Sequence, residues 1–124
     1  MLDLFRQITI EINDLFEYRT DRELYGKDEW WTDLKPVGDK LLGDCEDYCI
    51  TIANKCLDSG IPRDSLVLHL VATRKHPDHI ILEYKGWFAD CNTKGLMKKP
   101  PYKLISHRRL SEKSWIATPR RYAA

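Results

Sequence analysis

An α+β domain is predicted by two features of this chain. Apolar residues recur at helical spacing over residues 2–16 and again over 45–59, and two β-patterned runs, 65–74 and 79–90, follow them. The second run is broken by Lys85-Gly86 between Tyr84 and Trp87, a pair that signals a tight hairpin.

Each element has its own reason. Leu2, Phe5, Ile8, Ile12, Leu15 and Phe16 form one helical stripe, suited to packing on a core rather than on a membrane. Residues 20–29 read as a polar linker leading to the tandem Trp30-Trp31. Asp44 is a good N-cap for a second helix whose stripe is Cys45, Cys49, Ile52, Ala53 and Cys56, and Gly60-Ile61-Pro62 ends it. Pro77 and Asp78 mark a loop-to-strand transition before His79, and Pro100-Pro101 a second break before a last strand over 102–107. With 124 residues and 43% apolar side chains the chain can bury a core without staples, so one domain over 1–124 is expected.

Cys45, His79 and Asp90 carry the chemistry in that order: a nucleophile, a base and a group to orient the base. A thiol attacks carbonyl carbon well only as thiolate, and an imidazole within reach both takes its proton and stabilises the anion. The first turn of a helix, with unpaired amides and the positive end of the dipole, favours a thiolate at Cys45 and can hold an oxyanion. If Lys85 and Gly86 are the loop residues, Tyr84 faces Trp87, His79 faces Asn92, and Asp90 is the diagonal neighbour of His79. A slip of one residue sets Asp90 directly opposite instead, and both registers let imidazole and carboxylate meet. Cys49 and Cys56, further along the same stripe, read as buried structural thiols.

The run Gly43-Asp44-Cys45-Glu46-Asp47-Tyr48, the helix closing on Gly60-Ile61-Pro62, and the later His79 and Asp90 resemble the bacterial transglutaminase-like cysteine proteinases. Asp28-Glu29-Trp30-Trp31 is similar to a segment those proteins carry upstream of the cysteine, and residues 102–115 to their closing strand. The resemblance implies a papain-like, transglutaminase-type core with the nucleophile at the N-terminus of a helix packed on a small antiparallel sheet. It implies Cys45 as nucleophile, His79 as base and Asp90 as the orienting acid. Members of that family often follow the acid directly with Asn, whereas this chain has Asp90-Cys91-Asn92. Tandem Trp is ordinarily packing, and the functional alternative is that Trp31, or Trp30, donates to the oxyanion or floors the substrate cleft.

Asp44 and Glu46 flank the nucleophile, and two carboxylates there raise a thiol's pKa and oppose the dipole. The resemblance implies that they are candidate calcium ligands, although two carboxylates fall short of the 6–8 oxygens calcium takes. The plainer reading is that Asp44 caps the helix while Glu46 and Asp47 complement its dipole or pair with nearby bases. Cys45, Cys49, Cys56, His76, His79 and Cys91 include soft ligands, yet none forms the short C-x-x-C knuckle of structural zinc. The chemistry itself requires no cofactor.

A net charge of +1 gives no drive towards nucleic acid or membrane, and no apolar run approaches the roughly 18 residues of a bilayer span. The N-terminus lacks the basic, apolar and small-residue pattern of a signal peptide, so a reducing cytoplasmic setting with free thiols is expected, or a virion-associated one if the small size reflects a viral origin. Residues 94–121 are basic, with Glu112 the single acid, which reads as a solvated surface or a grip for an acidic partner. Two functions follow from different classes. One is a selective cysteine peptidase or amide hydrolase acting on a protein or peptide through a thioester, with transfer to an amine not separable from hydrolysis. The other is a catalytically silent relative that binds a partner through the basic C-terminal segment.

Overall fold

The structure, a computed structural model, describes residues 1–26, 32–72 and 79–109, with 103–109 described by backbone alone. Helix α1 spans Leu2–Leu15 and buries Phe5, Ile8 and Ile12, as the stripe requires. Phe16 turns extended, and Phe16–Tyr18 becomes a short strand, β1, rather than a last helical turn.

Two further regions depart from the sequence expectation. Within the polar linker lies a short helix, α2, over Asp21–Tyr25, started by a capping box between Thr20 and Glu23. Beyond it, β2 over Lys35–Val37 and β3 over Lys40–Gly43 pair antiparallel, and β3 also pairs parallel with β1, giving a sheet of order β1-β3-β2. These strands are too short and too exposed to show a clear alternation, so their pairing is a tertiary outcome.

Helix α3, Cys45–Asp58, lies at the centre of the core. Tyr48, Cys49, Ile52, Ala53 and Cys56 are buried against α1 on one side and the larger sheet on the other. Close approach is enforced at its start: a Cβ on Gly43 would sit 2.5 Å from Leu34 Cδ2 and 2.9 Å from Asp47 Cβ.

The larger sheet is antiparallel, of order β7-β6-β5-β4-β8, built from β4 (Leu66–Ala72), β5 (His79–Tyr84), β6 (Trp87–Ala89), β7 (Leu96–Met97) and β8 (Lys103–Arg109). Lys85 and Gly86 both take positive φ, 47° and 86°, and set Tyr84 opposite Trp87, the first of the two registers the sequence allows. Strand alternation sends Ile80, Leu82 and Tyr84 towards α3, and Ile81 to the other face with Val71, Phe88 and Tyr102. Among the described residues no helix is long and apolar enough to cross a membrane. Of the basic C-terminal segment, Lys98 lies over the Trp87 ring at 5.0 Å, while residues 110–124 lie outside the described part.

Candidate active site

Position 45 is prepared by the head of α3. Asp44 adopts an extended backbone and its carboxylate accepts from the Asp47 amide at 3.1 Å; the Asp47 carboxylate accepts in return from the Asp44 amide at 3.4 Å. This reciprocal box places Cys45 in the first turn, where intrahelical partners for the amides run out. Asp47 also accepts from the Thr32 amide at 3.1 Å, and Thr51 accepts from the Leu34 amide at 2.7 Å, so residues 32–34 are laid along α3.

The base and its partner come from the hairpin. His79 Nε2 and Asp90 Oδ1 are 2.7 Å apart, both residues buried. Asp90 further accepts from the Asn92 amide at 3.0 Å and, on its other oxygen, from the Tyr102 hydroxyl at 2.6 Å. Burial alone would raise the Asp90 pKa; the bonds from His79, Tyr102 and Asn92 outweigh it and hold the carboxyl below its ordinary range. Tyr102 also packs edge-on against the His79 ring, with centroids 5.6 Å apart. With Nε2 engaged by Asp90, Nδ1 is the nitrogen left to serve a thiol.

Cys45 meets this hairpin at the backbone: the Ile80 amide, one residue past His79, acts on its sulfur. Its thiol donates instead to Glu46, at 3.6 Å from Oε2, and no hydrogen bond joins Cys45 to His79 among the described residues. Burial, then the charge of Glu46, push the Cys45 thiol well above its ordinary pKa. Thiol and imidazole thus each have another partner, Glu46 and Asp90.

The remaining expectations fall as follows. Asp44 caps α3, as its sequence position suggests, and its carboxylate clusters with those of Asp21 and Asp47, all within 4.8 Å of one another and all buried. Glu46 is not part of that cluster. Trp30, Trp31 and His76 lie outside the described residues. Cys49 is fully buried and donates to the Ile80 carbonyl at 3.6 Å, and burial pushes the Cys56 thiol up to about 12.

Sequence reading missed Asp21, Tyr102 and Tyr18 as neighbours of the site. Parallel pairing sets Tyr18 beside Gly43, with the Arg19 amide on the Gly43 carbonyl at 2.8 Å, so Asp21 and Asp44 emerge at the same end. No spacing rule connects residues that far apart. Burial, and then Cys45, Asp44 and Glu46, push the Tyr18 hydroxyl up to about 12. For Tyr102, the break at Pro100-Pro101 was legible but its partner was not.

The family model of the bacterial transglutaminase-like cysteine proteinases matches residues 1–117. The chain belongs to that family. Among solved structures, Legionella pneumophila LapG matches with a TM-score of 0.68 at 20% identity, over 90% of this chain and 66% of that one. The calcium-bound form of the same protein gives 0.66 at 20% identity over 87% and 65%, and the EGTA-treated form 0.65 at 20% over 84% and 61%. At this identity the likeness is one of fold, a transglutaminase-type arrangement of helix and sheet. This member of the family spans 65% of the calcium-bound LapG chain. No curated protein sequence matches it. The family description is bacterial, so the viral reading finds no support.

Proposed function

We propose that this family member is a cysteine peptidase or amide hydrolase using Cys45, His79 and Asp90. The observation that carries the reading is the buried His79–Asp90 pair, 2.7 Å apart, adjoining a cysteine at the head of a capped helix in a chain of a cysteine-proteinase family. Cys45 Sγ attacks the scissile carbonyl carbon while His79 Nδ1 removes the thiol proton. The same nitrogen returns that proton to the leaving amine, and water opens the thioester; an amine in place of water gives acyl transfer. Asp90, fixed by Tyr102 and Asn92, holds the imidazole in the tautomer with its proton on Nε2. For the step to begin, Cys45 leaves Glu46 and the His79 ring comes onto the sulfur. The first-turn amides of α3 are the oxyanion donors, with Trp31, or Trp30, as an added donor or cleft floor. Single-domain organisation over 1–124 and a protein or peptide substrate belong to the same reading.

Calcium fits the head of α3. Asp21, Asp44 and Asp47 offer an all-oxygen, buried set, and one LapG structure is described as calcium-bound. Burial and then Asp44 push the Asp47 carboxyl up to about 9, an electrostatic conflict that a divalent cation relieves. Bound there, calcium supplies positive charge beside the nucleophile's turn. Asp44 would be a direct ligand, and Glu46, two residues on, is the candidate for an additional one.

One observation favours the silent alternative: a Cys45 thiol bonded to Glu46 is a poor nucleophile. Iodoacetamide labelling at neutral pH, mapped by mass spectrometry, separates the two. A working site labels Cys45 fastest and slows in His79→Ala. An unassisted chain labels Cys91 first, because it is more exposed than Cys45, Cys49 or Cys56. That second order would remove the enzyme reading in favour of an adaptor.

A further inference from the structure

We propose that His79 Nε2, an Asp90 carboxylate oxygen and the Cys91 thiolate form a site for one thiophilic divalent cation, zinc above all, and that its occupancy shuts off His79. These residues offer one ligand atom each, all within 4.8 Å of one another. Tetrahedral zinc with bonds of about 2.0–2.3 Å holds its ligand atoms about 3.3–3.8 Å apart, so small side-chain rotations close the set. At present a proton bridges Nε2 and Oδ1 at 2.7 Å, and the cation replaces it.

The donor chemistry selects the metal. An imidazole, a thiolate and one carboxylate favour zinc or cobalt over calcium and magnesium, whereas Asp21, Asp44 and Asp47 offer oxygen alone. Two metal preferences are thereby sorted into two places close to Cys45. Cys91 is the partly exposed member and gives the ion a way in; Asp44 and Glu46 bring negative charge to bear on it. Tyr102 already steers Asp90 through its second oxygen, the kind of outer contact that orients a ligating carboxylate. The short-range spacing of structural zinc knuckles is absent because the hairpin register, rather than adjacent cysteines, assembles the set.

Binding releases one proton, that of the Cys91 thiol, while the proton on Nε2 moves to Nδ1. Nδ1 then donates and cannot accept a proton from Cys45. This consequence rests on the reading of His79 as the base for Cys45; the metal site itself does not.

The full chain, freed of metal and then saturated with calcium to fill any oxygen-only site, is titrated with cobalt(II). A sulfur-to-cobalt charge-transfer band in the near ultraviolet is expected at one cobalt per chain. Cys91→Ser and Cys91→Ala should each abolish the band and weaken binding about tenfold or more, with circular dichroism unchanged. Cys45→Ser should leave both as they are. A band that survives without Cys91, or that disappears without Cys45, overturns the site. Zinc should also slow iodoacetamide labelling of Cys45 about tenfold or more, as expected when a base is lost. If the band behaves as expected but zinc leaves the labelling rate unchanged, the shut-off is overturned and the site stands. Slow Cys45 labelling before any metal is added removes the enzyme reading instead.

Discussion

Glu46 is the residue on which the resting state of Cys45 turns. Its carboxylate accepts the thiol proton at 3.6 Å and, after burial, is the largest influence raising the thiol pKa. A single charge at about 4 Å is worth on the order of 1–4 kcal/mol between water and a partly buried site. Glu46→Gln keeps the shape and removes the charge, so Cys45 should be alkylated roughly tenfold faster at neutral pH, measured against Cys49 as an internal reference. An unchanged rate would assign the raised pKa of the thiol to burial rather than to Glu46. The sequence shows Glu46 beside Cys45 and the sign of its effect, since neighbours along the chain are certain. It does not show the hydrogen bond to Glu46, because that depends on which way the sulfur turns in the first helical turn. Asp90 is the contrary case: the Lys85-Gly86 turn sets the register, and the register sets the partner of His79.

At the scale of elements, α1, α3 and the hairpin were legible because each carries a strong periodic pattern with clear punctuation. The boundaries of α3 shift by one residue, to Cys45–Asp58, and those of α1 by one, to Leu2–Leu15. The small sheet was not legible. Lys35–Val37 is exposed throughout, so no buried face marks it as a strand, and its partner β3 is defined by contacts to β1 far back in the chain. The capping box at Thr20 and Glu23 was present in the sequence, but a helix of five residues has no room for an apolar stripe to accompany it. Gly43 joins the small sheet to α3, and its missing side chain is what lets Leu34 and Asp47 close over that junction. Gly43→Ala puts a methyl 2.5 Å from Leu34 Cδ2 and 2.9 Å from Asp47 Cβ, neither of which is the free end of an exposed chain. Overpacking of this kind costs about 1–3 kcal/mol, to be read as a lower urea midpoint with an unchanged slope. Labelling of Cys45 should change in the same variant, since Asp47 caps the turn that carries it. A neutral substitution would mean that the junction is looser than the packing implies.

The whole molecule concentrates negative charge where α2, β3 and α3 meet, and its stability should depend on pH accordingly. Folded, the Asp47 carboxyl is pushed up to about 9 by burial and then by Asp44; unfolded, it has the ordinary value of about 3.9. Between those limits the folded chain holds a proton that the unfolded chain releases, so stability falls as pH rises across the window. Asp90 works in the opposite sense, because its folded pKa is depressed: its contribution is present above the ordinary carboxylate range and is lost as pH falls below it. The two windows meet near the ordinary carboxylate range, above which Asp47, of these two groups, sets the slope. Thermal melts in the presence of a chelator should therefore show Tm declining from about pH 5 to pH 9, at about 4 °C for each kcal/mol lost. Calcium should reverse the decline, most strongly at the alkaline end where Asp47 loses its proton, and magnesium should do so less, because it gives up its waters reluctantly. A flat Tm profile would mean that the acids at the head of α3 are satisfied by hydrogen bonds alone, with the cap and the Thr32 amide sufficient to hold Asp47, and equal rescue by both ions would mean that the set does not select calcium.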